Sequence, residues 1–300
     1  RGIVSNAHEL GLSIAEAYEL WPETDLIIGI GTRLEIPRWR WPVKNPDLKS
    51  IRIDIDPSEM RRFTPNVAII ADAADAMTSL VDAVDRTDKT LRTRLAAIKK
   101  AREVIAPQVM EIKPQADYLM AIRDVLPDNG IVTDELSQVG FASWYAYPVY
   151  EPRTYLTSGY QGNLGSGFPT ALGAKVAFPD RPVVAITGDG GFMFGVQELA
   201  TAVQHNIAVV VLIFNNNAFG NVRRDQLEGF GGRVVGADLV NPNFVKLAHS
   251  FGADAERVSD VATFKKTLEK AIAKNTPYVI EIVVPTDSET NPWRFIQPER

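Results

Sequence analysis

The sequence predicts an α/β protein: a doubly wound, mostly parallel sheet in the C-terminal part, preceded by a smaller, partial α/β unit. Three observations carry this. Short apolar runs alternate with helix-patterned stretches, as strands of a sheet covered on both faces do. The pattern breaks in a charged stretch, residues 86–115, and restarts near 116. Before the break there are at most three strand candidates, fewer than a free-standing doubly wound domain usually has.

Residues 24–36, "TDLIIGIGTRLEI", read as a buried strand running into a glycine turn. Residues 49–57, "KSIRIDIDP", alternate polar and apolar and end at proline, a second strand. "NVAIIADAADAMTSLVDAV" reads as a short strand and a helix. Residues 86–115, rich in Lys, Arg and Glu and closing near Pro107 and Pro114, read as a surface helix and linker. Beyond them "GIVTD" (130–134) is a strand and "FPTALGAKVAF" a helix after a glycine-rich loop. "PVVAIT", "AVVVLIFN" and "PYVIEIVV" are strands; "VQELATAVQHN", "NFVKLAHSFGA" and "TFKKTLEKAIAKN" are helices. The tail, "PTDSETNPWRFIQPER", has no periodicity; it wanders over the surface or covers a site. The domains so drawn are 1–85, a linker 86–115, and 116–300.

Composition narrows the function. The 300 residues are 45% hydrophobic and 23% charged, ordinary for a soluble globular protein. A net charge of -5 and a pI near 5.4 argue against a nucleic-acid partner. No cysteine is present, so disulfides and thiolate chemistry are excluded. No apolar run reaches membrane-spanning length, and the first residues do not form a signal peptide. The expectation is a cytoplasmic enzyme with no membrane partner.

The informative stretch is "ITGDGGFMFGVQELATAVQHNIAVVVLIFNNNAFG", residues 186–220. Ligands of a parallel sheet bind outside the carboxyl ends of its strands. One strand ends at Gly188-Asp189 and the next at Asn215-Asn216, with one crossover helix expected between. On neighbouring strands Asp189 and Asn216 would lie roughly 5 Å apart. Two hard oxygen donors at that spacing suit magnesium or calcium. Gly190 and Gly191 open the next helix and let a phosphate approach backbone N–H groups. Gly-Asp-Gly alone is an ordinary turn, and so is an Asn-rich strand exit. Their separation by 27 residues, with a helix and a strand between, is far more specific.

This stretch resembles the signature of thiamine diphosphate-dependent enzymes: Gly-Asp-Gly, a helix and strand, then Asn-Asn. Nearly the whole chain is similar to enzymes of the acetolactate synthase and benzoylformate decarboxylase type. Residues 1–85 resemble part of their Rossmann-like middle domain, and about 116–285 their C-terminal thiamine diphosphate-binding domain. The resemblance implies Mg²⁺ held by Asp189, Asn216 and the carbonyl of Ala218, with Gly188, Gly190 and Gly191 toward the diphosphate. It extends to "SGYQGNLGSGFPTALGA", residues 158–174. There it implies that Leu164 bends the cofactor beneath its thiazolium ring and that the Gly162 carbonyl accepts a bond from the aminopyrimidine. Read alone, the glycines at 159, 162, 165 and 167 argue only for close backbone approach. In "DELSQVG", Ser137 and Gln138 match positions that reach the diphosphate.

The resemblance further implies a small 2-oxo acid substrate, decarboxylated to an aldehyde or joined to a second carbonyl. A glutamate of an N-terminal pyrimidine-binding domain, which nothing here resembles, would complete the cofactor site in a homodimer or homotetramer. The 300 residues alone are therefore expected to be a part of a larger assembly, binding the diphosphate weakly and turning over little. A non-catalytic cofactor-binding subunit is the alternative the missing glutamate favours, and Asp189 with Asn216 opposes it.

Other residues are set aside. His8, His205 and His249 read as surface or structural side chains. Trp39 and Trp41 in "PRWRWP" read as packing residues at a domain join rather than a nucleotide stack. Gly29-Ile30-Gly31 is half a dinucleotide fingerprint, too little for a nicotinamide-dependent dehydrogenase. Arg33 matches an FAD-contacting arginine of acetolactate synthases, but "LEIPRW" after it departs from their pattern, which puts FAD in doubt. Arg223 and Arg224 either meet an acid substrate or face solvent, and solvent is favoured.

Overall fold

Strands of the kind the apolar runs predict form two parallel sheets in the computed structural model, which describes residues 1–42, 45–84, 91–159 and 161–298. Residues 86–90 of the expected linker, and Tyr160 of the glycine loop, lie outside these. The chain divides into two units: Arg1–Ser13 with Pro107–Pro292, and Ile14–Ala106 with Trp293–Arg300.

The smaller unit carries α1 (Ile14–Leu20), strands β1 (Leu26–Ile30), β2 (Lys49–Asp54) and β3 (Val67–Ile70), α2 (Ala73–Ala83) and most of α3 (Leu91–Met110). Its sheet has the order β1-β2-β3, all parallel, matching the three strands expected. Trp41 is buried among Tyr18 and Trp21, with ring centroids 5.2 and 5.3 Å away, and donates its indole N–H to the Phe295 carbonyl. It is a packing residue, whereas Trp39 is exposed. Arg52, fully buried, donates to the carbonyls of Glu59 and Thr32. The Glu59 carboxylate also holds Arg62 at 2.8 Å and Arg33 at 3.3 Å. Arg33 is thus engaged within its own unit. A Cβ on Gly29 would stand 2.7 Å from Leu34 Cδ1, so packing alone accounts for that glycine.

The larger unit continues with α4 (Gln115–Val125), β4 (Ile131–Thr133), α5 (Gln138–Ala146), β5 (Tyr155–Leu156), α6 (Gly167–Ala177) and β6 (Val183–Gly188). Then come α7 (Asp189–Phe192), α8 (Glu198–Gln204), β7 (Val209–Asn215), α9 (Gly220–Gly229), α10 (Phe244–Phe251), β8 (Asp254–Val258), α11 (Val261–Lys274) and β9 (Tyr278–Val283). The sheet order is β5-β4-β6-β7-β9-β8, every pair parallel. Every residue of β7 is buried, as a strand covered on both faces requires. On one face Val183, Ala185, Val209, Val211 and Ile213 pack with Phe168 and Leu172 of α6, Leu199 of α8 and Phe244 of α10. On the other, Tyr118 of α4 meets Phe214 of β7 and Phe264 of α11 edge-on, with centroids 5.5 and 5.2 Å away. Arg1 belongs here: its guanidinium donates to the Ser143 and Tyr147 carbonyls and lies 4.4 Å from the Tyr155 ring centroid. The order places β5 and β6 on opposite sides of β4. The crevice between β4 and β6 is therefore a topological switch point, where open α/β sheets bind ligands.

Several elements differ from expectation. Two helices, α7 and α8, stand where one was expected between β6 and β7. The break lets residues 193–197 pass close to the glycine loop: a Cβ on Gly165, at φ +79°, would lie 2.6 Å from Phe194 Cβ. Between β7 and α10, where the sequence pattern assigns no element, the chain forms α9. Edge strands β5 and β8 are too short or too polar to read as apolar runs. Among the described residues no helix is long and apolar enough to cross a membrane.

Phe264 is fully buried between α11, α4 and the sheet. Phe264→Ala is expected to cost about 3–5 kcal/mol, the range for deleting a buried ring. Urea unfolding followed by far-UV circular dichroism measures it.

Candidate active site

The exits of β4, β6 and β7 converge on a cavity of about 200 Å³. β4 contributes Leu136, Ser137 and Gln138, and β6 contributes Gly188 to Gly191. Asn216, Ala218 and the start of α9 come from β7, and Leu164 from the glycine loop. The expected site residues are brought together here, except Gly162, which stands two residues before Leu164 in that loop.

The β6–β7 pairing sets Gly188 opposite Phe214, so Asp189 and Asn215 leave the sheet side by side and Asn216 follows. Asp189 is buried, and burial pushes its carboxyl above the usual range. Its compensating bonds come from neutral donors: Asn241 Nδ2 at 2.6 Å and main-chain N–H groups including those of Gly190 and Ala218. The three consecutive asparagines divide the work. Asn215 donates to Glu281 Oε1 at 2.8 Å and accepts from Asn241 at 3.0 Å, a structural tie. Asn216 lines the cavity; its Oδ1 accepts from Ala218 N at 3.1 Å and its Nδ2 donates to Glu289 Oε2 at 2.6 Å. Asn217 takes φ +55°, the left-handed turn that asparagine tolerates. Ala218 bridges Asp238 through Phe219 N to Ala237 O and Leu239 N to Asn217 O. That pattern leaves the Ala218 carbonyl out of the bridge.

Gly190 and Gly191 both stand on the cavity wall. A Cβ at Gly190 would overlap Phe219, and one at Gly191 would overlap Glu135 Oε1. Protein packing therefore requires glycine at both positions. The helix that Asp189 opens, α7, is a single turn with little dipole. Two longer helices start on the cavity: α5, nine residues, capped by Ser137, and α9, ten residues long, with Phe219, Gly220 and Asn221 on the cavity wall and no side-chain cap. Gly220 must be glycine there, since a Cβ would lie 2.8 Å from Asn216 Nδ2.

Ser137 caps α5 by accepting from Gly140 N at 3.0 Å, so "DELSQVG" is a helix entry rather than a loop. Gln138 Oε1 accepts from Arg224 Nη1 at 2.9 Å. Arg223 bridges Asp287 and Asp238 at 2.9 and 2.7 Å. Neither arginine simply faces solvent, as expected from sequence. Leu164 is partly exposed on the cavity wall, and Gly162 takes φ +60° with its open side against Leu136. His8, His205 and His249 are exposed, away from the site.

Sequence reasoning missed three site residues. Asn241 ties Asp189 to Asn215 from a loop with no motif. Glu289, in the tail, is pushed up to about 7 by burial; Asn216 opposes the shift and the Asp189 charge adds to it. Glu135, buried behind the cavity, is also pushed up to about 7 by burial, against hydrogen bonds from the Gly167 and Gly165 main chain. It stands inside "DELSQVG" with no pattern of its own, and a Cβ on Gly191 would meet it.

The donor set fits a hard divalent cation: a buried carboxylate held by neutral partners, an amide oxygen and a main-chain carbonyl. Beside it, the α9 N-terminus, Ser137 and Gln138 offer donors to an anion. Among the described residues no group of three His, Cys, Asp or Glu could hold a metal. A site here therefore depends on amide and backbone oxygens.

A parallel sheet with polar side chains gathered around a cavity at the carboxyl ends of its strands is a ligand-binding α/β architecture. The chain belongs to the thiamine pyrophosphate enzyme family: residues 136–282 match its C-terminal TPP binding domain and residues 1–80 its central domain. It is 35% identical to a probable acetolactate synthase large subunit of Methanocaldococcus jannaschii, over 87% of this chain and 46% of that protein. It is 30% identical to the acetolactate synthase isozyme 1 large subunit of Escherichia coli, over 99% and 54%. A probable 2-ketoarginine decarboxylase of Pseudomonas aeruginosa is 31% identical over 90% and 49%. The chain thus spans about half the length of these relatives.

Glu135 gives a test by pH. Its carboxyl rises from 4.5 in the unfolded chain to about 7 in the fold. Below about pH 4.5 both states hold the proton and the contribution is fully present; it falls as pH rises through about 7. Glu135→Gln should gain on the order of 3 kcal/mol relative to wild type between pH 4.5 and 8. Urea unfolding at the two pH values measures it, and a pH-independent difference contradicts the assignment.

Proposed function

We propose that this chain supplies the cation- and diphosphate-binding half of a thiamine diphosphate- and Mg²⁺-dependent enzyme that decarboxylates a 2-oxo acid or joins it to a second carbonyl. The supporting observation is the convergence of Asp189, Asn216 and Ala218 at the exits of two paired strands, with Leu164 on the wall of the same cavity. Asp189, Asn216 Oδ1 and the Ala218 carbonyl would hold Mg²⁺, and the α9 N-terminus with Ser137 and Gln138 would receive the diphosphate. Bound thiamine diphosphate supplies an electron sink for loss of CO₂ from a 2-oxo acid. The chain's own part is binding and orientation. Leu164 would support the cofactor from the cavity wall, and the Gly162 carbonyl would accept from its amino group. Apolar Leu136, Phe141 and Phe214 help line the cavity and exclude water.

The names of the Methanocaldococcus and Escherichia relatives favour acetolactate synthase-like carboligation. That of the Pseudomonas relative supports a simple decarboxylase as the second reading. In either case the reading assigns pyrimidine binding to another domain, in a homodimer or homotetramer.

Calorimetry with thiamine diphosphate, with and without Mg²⁺, tests the reading. Uptake is expected to require Mg²⁺. Asp189→Ala should weaken it at least about a hundredfold, the upper end of what even outer partners of a metal site cost. Cation-independent uptake, or an unaffected variant, contradicts it.

A further inference from the structure

The segment after β9 runs across the exit of β7. Val284 N donates to Asn215 O at 2.9 Å and Thr286 Oγ1 to Asn216 O at 2.7 Å. Beyond them Thr290 N donates to Lys113 O at 2.8 Å, and its carbonyl accepts from Gln115 at 2.7 Å. These bonds dock the segment without help from Glu289. Yet Glu289 places its carboxylate on Asn216 Nδ2, in a cavity it shares with Asp189. Arg224 eases the Glu289 charge in part, and setting a second acid beside a buried one stays costly unless a cation joins them or the contact has another use.

The use lies in the two ends of the Asn216 amide. Its Oδ1 faces the Ala218 N–H and its Nδ2 faces the Glu289 carboxylate. Reversed, the amide would set NH₂ against N–H and oxygen against carboxylate, two repulsive contacts. Only Oδ1 can ligate a cation. One Oδ1 lone pair remains after the Ala218 bond.

We infer that Glu289 is a positioning residue: its bond to Asn216 Nδ2 holds the amide with Oδ1 presented to a divalent cation, and so links docking of residues 284–290 to occupancy of that site. The inference rests on the cofactor reading above for the occupant and goes beyond it in giving the tail a role. By linkage, a cation that binds only the docked arrangement stabilises it in turn.

The test uses the full chain as wild type, Glu289→Ala and Glu289→Gln. Mn²⁺ binding in the presence of thiamine diphosphate is read by electron paramagnetic resonance, and amide exchange of residues 286–290 by mass spectrometry. Loss of a bond to a charged acceptor should weaken Mn²⁺ binding about tenfold in Glu289→Ala. Glu289→Gln keeps an acceptor for Nδ2 and should stay within about threefold of wild type. Exchange at 286–290 should slow on loading in wild type and in Glu289→Gln only. Unchanged Mn²⁺ binding by Glu289→Ala overturns the inference. So does Glu289→Gln binding as poorly as Glu289→Ala, since charge and not amide orientation would then matter. A wild-type chain that takes up no Mn²⁺ with the cofactor refutes instead the cofactor reading itself.

Discussion

The parallel pairing of β6 with β7 is the constraint on which the rest of the site depends. Its register sets Gly188 against Phe214 and so releases Asp189 and the asparagines from the sheet at one level. The pairing is firm because both strands are buried on both faces. α6, α8 and α10 lie on one side, and α4 and α11 on the other. A one-residue slip would turn every side chain to the opposite face. The core therefore fixes the positions of oxygen atoms far from it in chemical character. The neighbouring switch point between β4 and β6 adds the Ser137–Gln138 wall to the same cavity.

The electrostatics of the site run against simple stability. Asp189 and Glu289 share one cavity wall, and burial raises the proton affinity of both. A fold selected only for stability would gain by replacing such a pair with apolar residues. Arg224 eases the Glu289 charge in part, while Asp189 is held by amides. In the proposed function a cation completes the arrangement. Glu135 is a different case. It lies behind the cavity, clasped by the glycine loop, and its neutral form suits a dry position between two turns.

What was legible in the sequence follows from the range of each interaction. β6, β7 and β9 announced themselves because a strand buried on both faces must be apolar throughout. Asp189 and Asn216 were legible because a strand–helix–strand unit fixes the distance between its two exits. β8 was not, since an edge strand reading Asp-Ala-Glu-Arg-Val carries no apolar run. Glu289 and Asn241 were hidden because their partners lie 73 and 52 residues away, across contacts that only the folded sheet creates. The two glycines after Asp189 were legible only in part. Local sequence shows that a side chain is forbidden there, but not that Phe219 and Glu135 occupy the space.

Anomalous diffraction from crystals grown with Mn²⁺ and thiamine diphosphate tests the central claim most directly. A single strong peak about 2.1 Å from an Asp189 carboxylate oxygen, Asn216 Oδ1 and the Ala218 carbonyl is the result required. A peak that omits Asp189 or Asn216, or an ordered cofactor with no cation between those strand exits, would contradict it.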